Sequence, residues 1–122
     1  MSVIFKTKVV KLGALAQAFI AEKMVILFQE NAPDELAEYC VLHKEHQLID
    51  TVQIGDILIF AGIEYKIVYV GDQVQKNLGD LGHITLKFNN NCEAENLEGS
   101  LYLEDKEIAF IHIGDEISII RR

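Results

Sequence analysis

Short segments of alternating apolar and polar residues recur along the chain. Between residues 83 and 88 one parity contains Ile84, Leu86 and Phe88, and the other contains His83, Thr85 and Lys87. Between residues 63 and 70, Ile63, Tyr65, Ile67 and Tyr69 form one set and Glu64, Lys66, Val68 and Val70 the other. Successive side chains of a strand point to opposite faces, so both segments are predicted to be strands with two unlike faces.

Other apolar segments of similar length also predict strands. Residues 3–12 are rich in β-branched side chains and end at Gly13, and residues 24–28 are uninterruptedly apolar, which favours burial on both sides or a closed barrel. Ala61-Gly62 separates the segments 57–60 and 63–70 by two residues, the spacing of a hairpin in which Gly62 takes a positive φ. Further strands are expected at 39–48, 101–103 and 116–120.

Brief helices are predicted between these strands. Residues 14–22 place Leu15, Ala18, Phe19 and Glu22 on one helical face. Pro33 lies just inside a candidate helix start in 31–38 and is followed by acidic residues, which suit the positive end of a helix dipole. Asp72 is a candidate cap for a helix through Val74, Asn77 and Leu78, with Gly79 and Gly82 as stop signals. Residues 89–91 are expected to form a loop, and 92–99 an acidic surface segment.

The pattern indicates a mostly all-β fold. We expect a compact closed or partly closed β-barrel of about six to eight short strands with roughly one to three short helices. The 122 residues suit one domain spanning 1–122.

Composition supports a globular protein and disfavours some classes of partner. The chain is 50% hydrophobic and 25% charged, with a net charge of -8 that disfavours contact with nucleic acid or anionic lipid. No apolar run approaches the roughly 18 residues of a membrane span, and the first residues do not resemble a signal peptide. We therefore expect a cytoplasmic protein without direct membrane insertion. The apolar strands leave room for a homodimer.

Several common chemistries lack their motifs. The chain has no phosphate-binding loop of the type Gly-x-x-x-x-Gly-Lys-Ser/Thr, no Gly-x-Gly-x-x-Gly and no Gly-x-Ser-x-Gly. Cys40 and Cys92 are too few for a disulfide framework, and both are predicted to be free thiols.

The segment 38–48 contains several of the remaining side chains that could bind a metal or react. Cys40-x-x-His43-x-x-His46 has zinc-ligand residue types, but residues three apart on a regular strand point to opposite faces, so the three converge only if the segment bends. For His43 alone, one interpretation is a structural histidine hydrogen-bonded to a backbone carbonyl at a strand edge. The other is a nucleophile, because a neutral imidazole near pH 7 is a competent nucleophile when its second nitrogen keeps its proton on a fixed acceptor.

His83 and Thr85 share one strand face and are candidates for hydrogen bonds to an anion. An ordinary polar outer face is the alternative interpretation of the same pair.

Three motifs give the chain a specific resemblance. They are Met24-x-Ile26-x-Phe28-x-Glu30-x-Ala32-Pro33, Glu38-Tyr39-Cys40-x-x-His43 and Asn77-Leu78-x-x-Leu81-Gly82-His83-x-Thr85-Leu86-x-Phe88. In this order and spacing the chain resembles, over nearly its whole length, the glucitol/sorbitol-specific enzyme IIA components of the bacterial phosphoenolpyruvate-dependent sugar phosphotransferase system (PTS).

The resemblance implies a β-barrel and a phosphotransferase role. The phosphoryl acceptor of that family falls on His43, which would form a phosphohistidine after charging by the carrier protein HPr. The phosphoryl group would pass to the sugar-specific IIB component, and the membrane component IIC would couple the relay to sorbitol uptake. No cofactor or metal is implied. Family members often have a histidine two residues after the acceptor, where this chain has Glu45, with His46 one residue further on.

Phosphoryl transfer sets requirements for the surroundings of His43. A phosphohistidine adds negative charge, so we expect His43 in a shallow, apolar-rimmed and locally non-acidic surface patch, with His83 as a phosphate-orienting donor and Thr85 as a further hydrogen-bond donor. A histidine sealed in the core could not accept the group. Cys40 is expected to be a packed small hydrophobe and His46 an exposed bystander.

Two other functions remain open on the residues. One is a metal-stabilised or small-ligand-binding barrel that uses Cys40, His43 and His46 as ligands. The other is a regulatory interaction module that binds HPr without being phosphorylated.

Overall fold

The computed structural model describes residues 2–88, 99–108 and 110–122. Within these ranges eight strands and three short helices follow one another, with bounds β1 Ser2–Leu12, α1 Ala16–Ile20, β2 Met24–Gln29, α2 Asp34–Ala37, β3 Val41–Leu48, β4 Ile57–Phe60, β5 Ile63–Val70, α3 Val74–Leu81, β6 Ile84–Lys87, β7 Ser100–Leu103 and β8 Glu116–Arg121. The predicted loop 89–91, most of the predicted acidic segment 92–99 and Cys92 lie outside the described residues.

The strands close into a barrel in the order β1-β3-β2-β6-β7-β5-β4-β8, and β8 pairs with β1 to complete the ring. The β2–β3 and β6–β7 pairs are parallel, whereas the other pairs are antiparallel. This confirms the prediction of a mostly β fold with a closed barrel and few short helices. Closure leaves no strand of the ring without a neighbour.

Alternation places the core inside the barrel. Ile84, Leu86 and Phe88 are buried, whereas His83, Thr85 and Lys87 are partly exposed, as the parity of this segment predicts. Tyr65 and Ile67 of β5 face the same interior, with Phe60 of β4. On these strands a single residue of register shift would turn the apolar set outward, so burial fixes the register.

The turn between β4 and β5 is a two-residue hairpin, as predicted. Ala61 has a φ of 49° and Gly62 a φ of 83°, the pair of positive values that a type I′ turn requires. Glycine takes such a φ at little cost, and Ala61 takes it with some strain.

Two details of the predicted helices are wrong. The residue that caps α3 is Gln73, without a side-chain hydrogen bond, and not Asp72. Gly79 lies inside α3, while Gly82 ends the helix with a φ of 61° in the left-handed region, the usual conformation of a helix-terminating glycine. Pro33 precedes α2 as its cap, and Asp34 and Glu35 occupy the first turn.

Candidate functional site

His43 lies where β3 runs between β1 and β2. Its Cα pairs with Val9 on the antiparallel side and with Gln29 on the parallel side. The strand begins with three consecutive buried residues, Val41, Leu42 and His43. Val41 belongs to the barrel core, whereas Leu42 packs outside it against Phe28 and Cys40. Both faces of the strand are therefore covered at this point.

Each ring nitrogen of His43 has one partner. Nδ1 lies 2.8 Å from Oγ1 of Thr7, and Nε2 lies 2.8 Å from the carbonyl oxygen of Gly82. The ring of Phe5 meets the imidazole edge-on, with centroids 6.3 Å apart. Burial lowers the pKa of His43, the Gly82 contact opposes this shift, and the nearby His46 lowers the pKa further. The imidazole is therefore held neutral near pH 7.

The prediction that His43 lies in a shallow, apolar-rimmed and locally non-acidic surface patch is wrong. The residue is 0% exposed in this conformation. It nevertheless contributes to the wall of an open cavity of about 310 Å³, whose lining also includes Glu30, Glu45 and Lys44. His43 therefore lies at the barrel wall, beneath a backbone cover and beside two carboxylates.

Gly82 forms that cover. A Cβ atom on this residue would lie 2.5 Å from Cε1 and 2.8 Å from Nε2 of His43, which is closer than real Cβ atoms approach. Only a glycine can place its backbone so near the ring. Alternation and turn signals predict the helix end at Gly82, but they carry no information about the ring beneath it.

His46 is brought beside His43 by a bulge in β3. Lys8 pairs with Lys44 and Lys6 with Gln47, so β3 contains one extra residue opposite Thr7. Glu45 has a φ of 57°, which bends the strand at this point. The bend turns the two histidines toward each other although they are three residues apart.

The resulting contact contradicts the prediction that His46 is an exposed bystander. Its ring is partly buried and meets the ring of His43 edge-on at a centroid distance of 5.5 Å. Nε2 of His46 lies 3.2 Å from the carbonyl oxygen of Gly79 in α3. A second histidine therefore belongs to the site, and its position follows from a bulge that the sequence pattern did not reveal.

His83 lies on a different surface from His43. Its ring stacks on Phe28 at a centroid distance of 4.8 Å, and burial lowers its pKa. It lines an apolar groove of about 210 Å³ together with Phe19, Ile26, Phe28, Leu36, Tyr39 and Cys40. In this conformation the two imidazoles contribute to separate cavities.

Thr85 lies on β6, two strands away from the strand of His43 in the ring. It pairs with Ile26 across β2 and β6 and with Ser100 across β6 and β7. Its backbone N–H donates to the carbonyl of Gly99. The structure does not bring Thr85 to the cavity that His43 lines.

Cys40 packs as a small hydrophobe, as predicted. It is buried beside Phe28 and Leu42, and burial raises the pKa of its thiol to about 11. Cys40 is a free cysteine. Across the ranges that the structure describes, no three His, Cys, Asp or Glu side chains are grouped closely enough to hold a metal ion.

Sequence reasoning missed Thr7 and Gly82. Among the residues that the structure describes, Thr7 is one of four buried polar or charged residues, and it lies on β1 between the buried Phe5 and Val9. A threonine on the apolar parity of a strand is a usable signal, because a buried hydroxyl requires a hydrogen-bond partner. No comparable signal identifies the carbonyl of Gly82.

Across the described ranges, no helix is both long and apolar enough to cross a membrane.

Comparison with known proteins identifies relatives over most of the chain. Residues 4–118 match the family model described as the PTS system glucitol/sorbitol-specific IIA component. PTS system glucitol/sorbitol-specific EIIA components of Shigella flexneri and of Escherichia coli (strain K12) are each 36% identical over 95 residues, which cover 78% of this chain and 77% of the relative.

A solved structure gives an independent match to the fold. The crystal structure of a PTS system IIA component from Enterococcus faecalis V583 superposes with a TM-score of 0.83 at 28% identity and covers 95% of this chain and 99% of that chain. The agreement in fold and in sequence leads to one conclusion: the chain belongs to the family of PTS glucitol/sorbitol-specific IIA components.

Proposed function

We propose that this chain accepts a phosphoryl group from phospho-HPr on His43 and passes it to the sugar-specific IIB component during glucitol/sorbitol uptake. The family consists of phosphoryl carriers in sugar uptake, which gives the chain a phosphotransferase role within a relay. The carrier would act in the cytoplasm. The observation that carries the assignment to His43 is that each of its two ring nitrogens has a specific partner, Oγ1 of Thr7 or the carbonyl oxygen of Gly82, which fixes the ring in the barrel wall.

Neutrality matters because an imidazole attacks through a free lone pair. Burial lowers the pKa of His43, so the ring has one unprotonated nitrogen near pH 7. Phosphoryl transfer through a loose transition state depends on placement and charge stabilisation more than on acid-base groups. The paired strands on both sides of His43 hold its ring rigidly, which provides the placement.

The cavity beside His43 supplies polar groups that can stabilise the charge of the phosphoryl group. Lys44 contributes a cation, and Gln29 and Asn31 contribute side-chain amides that can donate to phosphoryl oxygens. Glu30 and Glu45 oppose an incoming anion. Since both ring nitrogens of His43 are hydrogen-bonded, this conformation represents the uncharged carrier, and charging requires that one of the two contacts opens.

Gly82 and His83 lie between the imidazole of His43 and the apolar groove on which a partner protein could bind. Gly82 covers the imidazole of His43, and His83 lines the apolar groove beside Leu36 and Tyr39, which are both exposed. A protein bound on that groove would contact the residue next to the cover. The arrangement supports alternate docking of HPr and IIB on this side of the barrel.

The decisive experiment is charging with phosphoenolpyruvate, enzyme I and HPr, followed by intact-mass measurement. We expect one acid-labile, alkali-stable phosphoryl adduct on the wild type and none on His43→Ala. His112→Ala is the matched control, because His112 is an exposed histidine beside Asp115 on the loop before β8, and it should charge normally.

Three results would contradict the assignment. An unchanged adduct on His43→Ala would move the acceptor elsewhere, with His83 tested next. Binding of HPr without phosphorylation would favour a regulatory module. Stoichiometric zinc in elemental analysis of the purified protein would favour the metal-stabilised barrel.

A further inference from the structure

The hydroxyl of Thr7 stands between two groups that compete for its single proton. Thr7 is buried on β1, opposite the bulge of β3. Its Oγ1 lies 2.8 Å from Nδ1 of His43 and 3.0 Å from the carbonyl oxygen of Lys44. The carbonyl can only accept, so a proton donated to Lys44 leaves Oγ1 as an acceptor for Nδ1–H. A proton donated to Nδ1 requires that this nitrogen be unprotonated.

The partner of Nε2 decides whether Thr7 donates to Nδ1 or accepts from it while the Gly82 carbonyl covers the ring. The carbonyl oxygen of Gly82 is only an acceptor, so the 2.8 Å contact requires a proton on Nε2 of His43. A neutral ring has one ring proton, and Nε2 holds it. Nδ1 is then unprotonated, and Thr7 donates to it.

Neither nitrogen can attack in that state. The lone pair of Nδ1 is occupied by the Thr7 hydroxyl, and Nε2 has no lone pair available because it carries the proton. Attack through Nε2 needs the opposite tautomer, with the proton on Nδ1 and the Gly82 carbonyl withdrawn. Thr7 can accommodate this tautomer without moving, because its hydroxyl proton can rotate toward the Lys44 carbonyl.

We propose that Thr7 is a positioning residue that selects Nε2 of His43 as the reacting nitrogen by switching from donor to acceptor at Nδ1 when the Gly82 carbonyl withdraws. The inference rests on the proposed function. The residues that contact Nδ1 and Nε2 lie in different kinds of structure. Thr7 lies in β1, which is paired along β3 and β8, whereas Gly82 lies in the short connection between α3 and β6. We therefore assign the withdrawal to this connection, while the paired strands hold Nδ1.

When the Gly82 carbonyl withdraws, Nε2 releases its proton to solvent water and Nδ1 takes a proton from solvent water, so the change of tautomer conserves the number of ring protons. The phosphoryl transfer that follows needs no additional proton carrier. The lone pair of Nε2 forms the new N–P bond, and the N–P bond of the phosphohistidine donor breaks with its electron pair returning to the donor nitrogen. A donor ring protonated on its other nitrogen leaves as neutral imidazole. The His43 ring becomes a phosphoimidazolium, and its Nδ1–H donates to Oγ1 of Thr7, which stabilises the cationic ring.

Nitrogen NMR of protein labelled with ¹⁵N in its histidine side chains tests the proposal directly. Above pH 7 the uncharged wild type should show the Nε2–H tautomer of His43. The charged protein should carry the phosphoryl group on Nε2 and the proton on Nδ1. Phosphorylation at Nδ1 would overturn the proposal while leaving the proposed function intact.

Kinetics of two matched variants provide the second test. Thr7→Val has the same shape without the hydroxyl, and Thr7→Ser retains it. We expect Thr7→Val to lower the rate of charging at saturating phospho-HPr about tenfold to hundredfold, the value of a hydrogen bond to a charged group, with KM for phospho-HPr unchanged. Thr7→Ser should charge within a few-fold of the wild-type rate.

The outcomes separate this inference from the function it rests on. Charging of Thr7→Val at the wild-type rate would overturn the role of Thr7 alone. Absence of any phosphoryl group on His43 in the wild type would overturn both. If Thr7→Val fails to fold, as circular dichroism would show, the nitrogen identity in the charged wild type still decides the question.

Discussion

At the scale of single residues, the site is governed by His43 and the groups around its ring. Thr7 holds Nδ1 from β1, Gly82 holds Nε2 from the end of α3, and His46 meets the ring edge-on. Two of these neighbours come from distant parts of the chain. The ring is therefore oriented by tertiary structure, which is how a protein fixes the tautomer and direction of an imidazole.

The lowered pKa of His43 predicts how stability depends on pH. The ordinary value of 6.5 applies to the unfolded chain, and burial lowers the pKa in the folded state. Between these two values the unfolded chain binds a proton that the folded chain does not, so stability is complete above about 6.5 and falls as the pH decreases toward the folded value. His83 contributes in the same direction because burial also lowers its pKa.

Urea unfolding between about pH 8 and pH 5 measures this effect. We expect the free energy of unfolding of the wild type to fall with decreasing pH and that of His43→Gln to fall less steeply, with the slope from His83 retained. His46→Gln should raise the pKa of His43 toward its ordinary value, because the nearby His46 lowers it. The charged residues that line the same cavity are Lys44, Glu45 and Glu30. Equal slopes for wild type and His43→Gln would contradict the account.

Gly82→Ala tests the close approach of the backbone to the ring. The new Cβ would meet Cε1 of His43 at 2.5 Å on a residue with a φ of 61°. Gly62→Ala is the matched control, because Gly62 also has a positive φ, of 83°, but nothing lies within 4 Å of the added atom.

Both variants carry the left-handed strain of about 1 kcal/mol, and only Gly82→Ala adds a clash of about 1–3 kcal/mol. Denaturant unfolding should therefore show a greater loss of stability for Gly82→Ala. Equal losses would mean that the segment moves aside freely and does not constrain His43.

At the scale of elements, the bulge in β3 is the feature that assembles the site. It inserts one residue opposite Thr7, with Glu45 in the left-handed region, and turns His46 toward His43. A regular strand would separate the two histidines onto opposite faces. The bulge thus converts a spacing of three residues into a contact.

Substitutions at Glu45 test the backbone conformation of the bulge. Glu45→Gly should leave stability unchanged or raise it by up to about 1 kcal/mol, because glycine adopts a φ of 57° without strain. Glu45→Val should lower stability by about 1–2 kcal/mol, because a β-branched residue resists this conformation. Gln47→Val, at an exposed and regularly paired position of the same strand, is the control and should be neutral within about 0.5 kcal/mol. Tolerance of valine at both positions would contradict the bulge.

At the scale of the whole molecule, closure of the barrel depends on β8. This strand pairs with β1 on one side and with β4 on the other. Near its end Arg121 binds the buried carboxylate of Asp56 through Nε and Nη2 at 3.0 and 3.1 Å and donates to the carbonyl of Thr51. The pair ties the last strand to the segment before β4.

Arg121→Met should lower the denaturant midpoint clearly, because it leaves the buried Asp56 without its cation. Arg122→Met is the matched control, since Arg122 pairs with the exposed Glu64 and such surface pairs contribute little. Equal shifts of the two midpoints would show that the Arg121–Asp56 pair does not secure the barrel.

Much of the architecture follows from the sequence, because period-two alternation and turn residues are local signals. The strands, the hairpin at Ala61 and Gly62, and the end of α3 at Gly82 were all predictable from such signals. His43 and Cys40 could be singled out by motif and residue type. The burial of His43 could not, because it depends on a glycine almost forty positions away and on a register shift between β1 and β3.

We infer that His43 is the phosphoryl acceptor although the backbone of Gly82 covers its ring in this conformation. Fragmentation mass spectrometry of the protein after charging by phospho-HPr, at a pH that preserves phosphohistidine, locates the group most directly. We expect a phosphoryl group on His43 and none on His46, His83 or His112. A phosphoryl group on any of those three histidines, with His43 unmodified, would contradict this inference.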